Sequence, residues 1–317
     1  MDSLVNFIQD INASTAGATS VVDSIQSWIW ENFLFVALIV VGLFLTIRTR
    51  AVQWRSLPEM LRVLTDPSGH EADGSKSISS FRAFTVSAAS RVGTGNIAGV
   101  AIAIAMGGPG AVFWMWIIAA VGGASAFAES LLGQLYKERG KDSYIGGPAY
   151  YMQRGLNARW LGLIFVGFIV LTYSFVFCAV QTNAIVEASA NSLDIGISGT
   201  EGMGFRIVVG LFIAALTAAI IFGGIRTIST VTEFMVPFMA VLYMLLGLFV
   251  VVLNVGEIPN VLLMIFQGAF GLREFVVGGT MGAVIWGMKR GLLSNEAGMG
   301  TAPNAGATAT ISHPEKQ

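Results

Sequence analysis

The chain has one cysteine, Cys178, and two histidines, His70 and His313, which excludes two kinds of site before any motif is read. A single thiol builds no disulfide framework. Two histidines far apart in polar stretches leave no Cys/His cluster for a resident metal. Charge is scarce as well: 12% of the residues are Asp, Glu, Lys or Arg, where a soluble domain carries about 25%. No Lys or Arg precedes the first hydrophobic run, which starts near residue 28, whereas Asp2, Asp10 and Asp23 do. A cleavable signal peptide needs the opposite charge at its start.

Apolar residues take the place of charge. They make up 54% of the chain, which also holds 38 glycines, and they recur in long runs along its whole length. WENFLFVALIVVGLFLTI from Trp30, WLGLIFVGFIVLTYSFVF from Trp160 and FMVPFMAVLYMLLGLFVVVL from Phe234 are three of these. Each is close to the roughly 20 residues a helix needs to cross a bilayer. The fold class expected is an all-α polytopic membrane protein with about seven transmembrane helices. The segments are near 31–48, 81–106, 111–136, 160–192, 205–223, 230–254 and 275–306. A polar linker over 49–80 begins amphipathic and ends rich in Pro, Gly and Ser. PAYYMQRGL, opened by Pro148, and PNVLLMIFQGAFG, from Pro259, suit short helices at the membrane surface.

Basic residues set the orientation. On one side, with spans alternating, lie Arg48, Arg50, Arg55, Arg62, Lys76, Arg82, Lys137, Arg139, Lys141, Arg154, Arg159 and Arg226; on the other lie Arg206 and Arg273. Twelve against two makes the first side cytoplasmic. Residues 1–27 are then extracytoplasmic, 49–80 a cytoplasmic linker, and 1–317 a single plasma-membrane domain.

Two segments break the helical rule. SAASRVGTGNIAG, over 87–99, places Gly93 and Gly95 around Thr94, with Asn96 next. Glycine costs about 1 kcal/mol against alanine inside a helix. Irregular backbone at membrane depth survives only where it is buried in protein or lines a wet cavity. An unwound turn there offers amide N–H groups to a carboxylate and carbonyl oxygens to Na+. Ser90 and Gly93 are candidates for cation binding or gating. A dinucleotide fingerprint is rejected: the glycine spacing is one residue too long, and no strand precedes it. GAVIWGMKRGLLSNEAGMGTAPNAGA, from Gly282, holds Gly287, Gly291, Gly298 and Gly300 with Lys289, Arg290, Asn295 and Glu296 among them. Two glycine-interrupted spans with four intact spans between them match the paired broken helices of transporters. Gly95–Gly99 and Gly287–Gly291 also have the spacing of close helix packing.

Arg91, Glu129, Glu187, Glu233, Lys289, Arg290 and Glu296 are ionisable residues within spans, and burying them is costly. Near-balanced charge also suits mutual pairing that holds helices together. Gln181 and Asn183 are polar and mid-span; Trp286 and Phe175 could line an apolar pocket or simply pack.

VGTGNIAGVA, GGPGAVFWMW, FAESLLGQLYK, GGPAYYMQRGL and RGLLSNEAGMGTAP, in that order, resemble the alanine or glycine:cation symporter family. The resemblance implies a leucine-transporter-type five-plus-five inverted repeat: one extra N-terminal helix and the first six core helices. It implies Na+-coupled symport of alanine, glycine or similar small amino acids in a bacterial or archaeal plasma membrane. Carried over by position, Thr94, Gly95 and Asn96 form the unwound first core helix. Gln181 stands near the substrate carboxylate on the third, and Trp286, Gly287 and Gly291 belong to the broken sixth, whose freed carbonyls receive the amino group. Asn295 and Glu296 join the cation or gating candidates. Na+ is the coupling ion, with no resident metal or cofactor; the partners are the amino acid, Na+ and the bilayer, with no nucleic acid. Family members continue with four further core helices, so the chain is expected to be an N-terminal portion that does not transport alone. Another small solute on the same fold, such as a nucleobase, or a non-transporting membrane remnant, are the alternatives. An enzyme is not expected, because no Ser/His or His/Asp constellation lies within the spans.

Overall fold

The computed structural model describes residues 17, 19–63, 80–140, 144–196, 199–272 and 279–309. Helices dominate these residues. In chain order they are α1 (Thr19–Arg48), α2 (Val52–Arg55), α3 (Leu57–Val63), α4 (Ser80–Arg91), α5 (Thr94–Gly107) and α6 (Gly110–Leu135). They continue as α7 (Pro148–Gly155), α8 (Arg159–Ser192), α9 (Gly199–Ile221), α10 (Gly224–Leu253), α11 (Ile258–Ala269), α12 (Gly279–Asn295) and α13 (Ala302–Gly306). A two-residue hairpin, β1 (Glu138–Arg139) on β2 (Tyr144–Ile145), joins α6 to α7.

Among the described residues, five helices are long and apolar enough to cross a membrane: α1, α6, α8, α9 and α10. The pair α4 and α5, bent by 45°, makes a sixth if it counts as one span. Exposed side chains on α9 and α10, such as Leu211, Phe212, Phe238, Leu246 and Leu253, are apolar. A surface of that kind is stable against lipid rather than water, so the chain is a multi-pass membrane protein. Two expected segments differ in extent. The first span starts at Thr19, because Val21, Val22, Ile25 and Trp28 continue its apolar face beyond the run that begins near residue 28. Part of the stretch expected as an extracytoplasmic tail is therefore helix. The last expected span is the 17-residue α12, a turn, and then α13, because Lys289, Arg290 and the Glu296–Thr301 turn interrupt its apolar length. Of the linker, only α2 and α3 are described; 64–79 lies outside the described residues.

The chain divides into two compact units. One comprises Met1–Ala37 with Phe168–Phe222, the other Leu38–Gly167 with Gly223–Gln317. In the first, a wide helical turn over Thr172–Phe177 precedes Cys178–Ser192, which packs on α9. A cleft of about 390 Å³ between them is lined by Cys178, Ala179, Thr182, Asn183, Val186 and Arg206.

In the second unit, α6 is the central helix. Its buried face is made of small residues, Gly110, Ala111, Gly122, Ala124, Ser125 and Gly133, so neighbouring backbones approach closely. α12 lies along α6, and α5 lies along α12. A methyl group on Gly287 would stand 2.5 Å from the Ala111 carbonyl oxygen and 2.7 Å from Trp114 Cβ. Nothing but glycine fits there. α10 packs on α4, where Arg82 Nε donates to Glu233 Oε2 at 2.7 Å. Glu233, one of the ionisable residues within spans, is thus spent on holding two helices together.

Candidate functional site

The first break follows Arg91. Val92 and Gly93 leave the helix, Gly93 takes an extended conformation (φ −145°, ψ −156°), and α5 restarts at Thr94. Ending a helix strands its last carbonyls, and Asn96 reaches back to one of them. Its Nδ2 donates to the Arg91 oxygen at 2.6 Å, while its backbone N–H donates to Gly93 oxygen at 3.1 Å. Asn96 is therefore the brace across the break.

The second break lies in the later part of its glycine-interrupted stretch, at Gly298 and Gly300 and not at Gly287 and Gly291. α12 runs unbroken through Trp286, Gly287 and Gly291 to Asn295, so those carbonyls are not freed. Gly291 O accepts Asn295 Nδ2 at 2.8 Å. Gly287 and Gly291 face α6, at Ala111 and Trp114 and at Met115 and Ile118 respectively. Contact with another backbone, not unwinding, accounts for them. The break occupies Glu296–Thr301, with positive φ at Glu296 (49°), Gly298 (86°) and Gly300 (73°). Glu296 is buried at 3% exposure and accepts a hydrogen bond from Thr301 Oγ1 at 2.8 Å.

The two breaks meet. A methyl group on Gly95 would lie 3.7 Å from Ser294 Cα and 3.8 Å from the Leu293 oxygen. One turn on, a methyl group on Gly99 would lie 3.9 Å from Arg290 Cδ. The start of α5 is thus set against the end of α12. Thr94–Asn96 shares this place with Leu293 and Ser294, and Asn295 and Glu296 follow directly in the chain. Trp286 lies near the other end of α5, where a methyl on Gly107 would be 2.9 Å from its Cβ. Gly107 is 12 residues from Gly95, about 18 Å along a helix. Lys289 Nζ and Arg290 Cζ stand 5.8 and 5.6 Å from the Trp286 ring centre, within cation–π reach. Gln181 is half-buried on α8 in the other unit, where Asn183 Nδ2 donates to Glu187 Oε1 at 2.9 Å. Ser90 belongs to α4, but its side chain lies outside the described residues.

Sequence reasoning did not single out Ser294. Its signal, a small polar residue at the end of a packed helix, is visible only once Gly95 is seen against it. In sequence, Glu129 reads only as an ionisable residue within a span. On α6 its carboxylate accepts the backbone N–H groups of Gly298 and Gly300 and lies within electrostatic reach of Arg91. Tyr151, on α7, faces the same carboxylate; burial, then the Glu129 charge, pushes its phenol above the usual range.

Further along, Lys137 Nζ donates to Gln134 Oε1 at 2.6 Å and to Ala309 oxygen at 2.7 Å, and lies 4.4 Å from the Tyr144 ring centre. Burial pulls its ammonium down to about 8. Gln134 Nε2 donates to Gly306 oxygen at 2.5 Å. Among the described residues, no group of three or more His, Cys, Asp or Glu could hold a metal ion.

Electrostatically, the junction joins opposite poles. The start of α5 presents backbone N–H groups, the positive end of a helix dipole, and the end of α12 presents carbonyls, the negative end. Many-spanned helical membrane proteins with interrupted helices meeting in this way form the class of secondary transporters. The chain belongs to the sodium:alanine symporter family, whose model matches residues 15–317.

It is 49% identical over 298 residues to the amino-acid carrier protein AlsT of Bacillus subtilis, covering 94% of this chain and 61% of that one. It is 47% identical over 290 residues to the probable sodium/glutamine symporter GlnT of the same organism, covering 91% and 58%. The sodium/alanine symporter AgcS of Methanococcus maripaludis is 38% identical over 305 residues, covering 94% and 65%. The chain therefore spans about three fifths of the length of these relatives. All three are transporters, and the family is one of transporters, not enzymes.

Proposed function

We propose that the protein is a Na+-coupled symporter of small amino acids, alanine and glycine foremost, working by alternating access. The observation that carries this reading is the junction of Gly95 with Leu293 and Ser294. An amino acid is a zwitterion. Its carboxylate suits the amide end of α5 around Thr94, Gly95 and Asn96, and its ammonium suits the carbonyl end of α12. Na+ suits the same carbonyl-rich backbone, with Gly93, Asn295 and Glu296 at hand and Ser90 in the preceding turn. Gly287 and Gly291 seat α12 on α6, and Trp286 stands at the other end of α5. The fold is the leucine-transporter type, seven spans being the extra N-terminal helix and six core helices. The N-terminal end of α1 faces the outside of the plasma membrane, and α2 and α3 lie on the cytoplasmic side, supported by the twelve-to-two bias of basic residues.

Ion and substrate together stabilise a closed state that neither favours enough alone, and this differential affinity drives the change of access. The test is uptake of labelled alanine into proteoliposomes with and without an inward Na+ gradient, with glycine, glutamine and a nucleobase as competitors. Saturable, gradient-driven uptake displaced by glycine is the expected result when residues 1–317 are tested within a chain of the relatives' full length. Displacement by glutamine in preference to glycine moves the substrate toward that of GlnT. Displacement by a nucleobase alone, or uptake indifferent to Na+, contradicts the reading.

A further inference from the structure

Glu129 is a half-buried carboxylate that the substrate site does not use, yet it takes the amides of one break and acts electrostatically on the residue before the other. It stands on α6, the helix against which α12 and α13 pack. Its acceptors take the backbone N–H groups of Gly298 and Gly300, inside the turn that interrupts the second helix. Its charge acts on Arg91, the last residue before the first break. Tyr151 closes the same cluster from α7.

The turn itself is suited to being held in this way. Positive φ at Gly298 and Gly300 aims two nearby amides at one point, a concavity that suits an anion. A second grip holds the far end of the segment: Gln134, at the end of α6, and Lys137, two residues beyond it, donate to the carbonyls of Gly306 and Ala309. One helix thus takes the amides of the segment with a carboxylate and its carbonyls with an amide and an ammonium.

The two grips differ in completeness. Glu129 Oε2 and Arg91 Nε are both buried without a hydrogen-bond partner. Buried polar groups are normally satisfied, and the exceptions mark places where another arrangement is available. An N–H donor and a carboxylate acceptor, both unspent and already in electrostatic contact, are complementary to one another.

We propose that Glu129 is a positioning residue that couples the two breaks: it holds the Glu296–Thr301 turn by its amides in this state and exchanges them for Arg91 when the turn moves away. This rests on the transport reading for its purpose but not for its test. Substitution Glu129→Gln removes the charge that attracts Arg91 and leaves a neutral amide oxygen, a weaker acceptor than a carboxylate, for the two amides. The anchor on the turn is then weakened while the grip at Gly306 and Ala309 persists.

The experiment is site-directed labelling of the full chain in membranes, without substrate. With Cys178→Ala as background, Met299→Cys reports on the turn and Ser56→Cys on a distant loop. A water-soluble maleimide is expected to label Met299→Cys about ten-fold faster in Glu129→Gln, and more slowly in Arg91→Gln than in Arg91→Lys, because Arg91 competes with the turn for the carboxylate, with Ser56→Cys unchanged. Equal rates at Met299→Cys with and without Glu129→Gln overturn the proposal. So does an equal rise at both reporters, which marks general loosening. Should the variant fail to fold, hydrogen exchange of the unmodified chain decides: the amides of Gly298 and Gly300 are expected to be protected like helical ones. Exchange at the rate of an open loop overturns it. A protein that does not take up alanine but passes these tests loses the substrate, not the coupling.

Discussion

Gly95 and Ser294 stand in contact, with a methyl on the glycine placed 3.7 Å from the serine Cα. They are 199 positions apart in sequence and belong to the two helices that the chain interrupts. That distance is an ordinary van der Waals separation. A single methyl is therefore tolerated, whereas a branched side chain drives into the end of α12.

Gly95→Ala should keep alanine binding within a few-fold of the parent, and Gly95→Leu should abolish it while insertion into the membrane persists. Equilibrium binding of labelled alanine, beside the yield of monodisperse protein, checks both. Equal loss in the two variants would place the site's sensitivity in glycine's backbone freedom and not in the space beside Ser294.

Asn96 braces the first break through its 2.6 Å bond to the Arg91 oxygen. Asn96→Asp replaces that donor with an oxygen and sets two acceptors against each other. A buried acceptor left unsatisfied costs about 1–3 kcal/mol, so thermal stability in detergent should fall, and Na+-dependent alanine binding with it. Asn96→Gln, which keeps the donor at a longer reach, should recover part of both. A melting temperature unchanged in Asn96→Asp would show that the bond holds nothing.

Gly287 belongs to packing. Its methyl would stand 2.5 Å from the Ala111 oxygen, on the backbone of α6, which cannot step aside as a flexible side chain can. Overpacking of this kind costs about 1–3 kcal/mol. Gly287→Ala should therefore lower stability, and alanine affinity should change less than in Gly95→Leu. Thermal melting together with binding separates the two effects.

Lys137 gives a pH dependence with a defined sign. Burial brings its folded-state value to about 8, against 10.5 when solvated. Between those values the unfolded chain holds a proton that the folded chain has released, so stability rises with pH across that window. Below about 8 both states are protonated and this contribution is flat. Melting curves from pH 7 to 10.5 should show the rise, and Lys137→Met should lack it. The half-buried position lets solvent screen part of the effect.

Much of the fold was legible because lipid imposes length and apolarity on every span. The runs from Trp30, Trp160 and Phe234 fall within α1, α8 and α10, and Pro148 opens α7 as its fixed φ favours. Glycine was harder to read. The same residue serves a break at Gly93 and Gly298 but a backbone contact at Gly287 and Gly291, and only the neighbours decide which. The first break was legible because Gly93, Gly95 and Asn96 crowd into four positions, but it falls on Val92 and Gly93, while Thr94, Gly95 and Asn96, expected to be unwound, form the first turn of α5. The second falls at the Gly298 and Gly300 end of its stretch, while Gly287 and Gly291 answer to α6, as their close-packing spacing suggested. The ionisable residues divide in the same way. Glu233 pairs with Arg82 across two helices, while Glu129 takes backbone amides, which leave no trace in sequence.

Binding of labelled alanine to the purified protein, in Na+ and in choline, with Gly95→Leu beside the parent, tests the junction of the two breaks most directly. Binding that requires Na+ and disappears in Gly95→Leu is the result expected of a shared amino-acid and cation site there. Binding of equal strength in choline, or retained in Gly95→Leu, would contradict it and place the site elsewhere in the molecule.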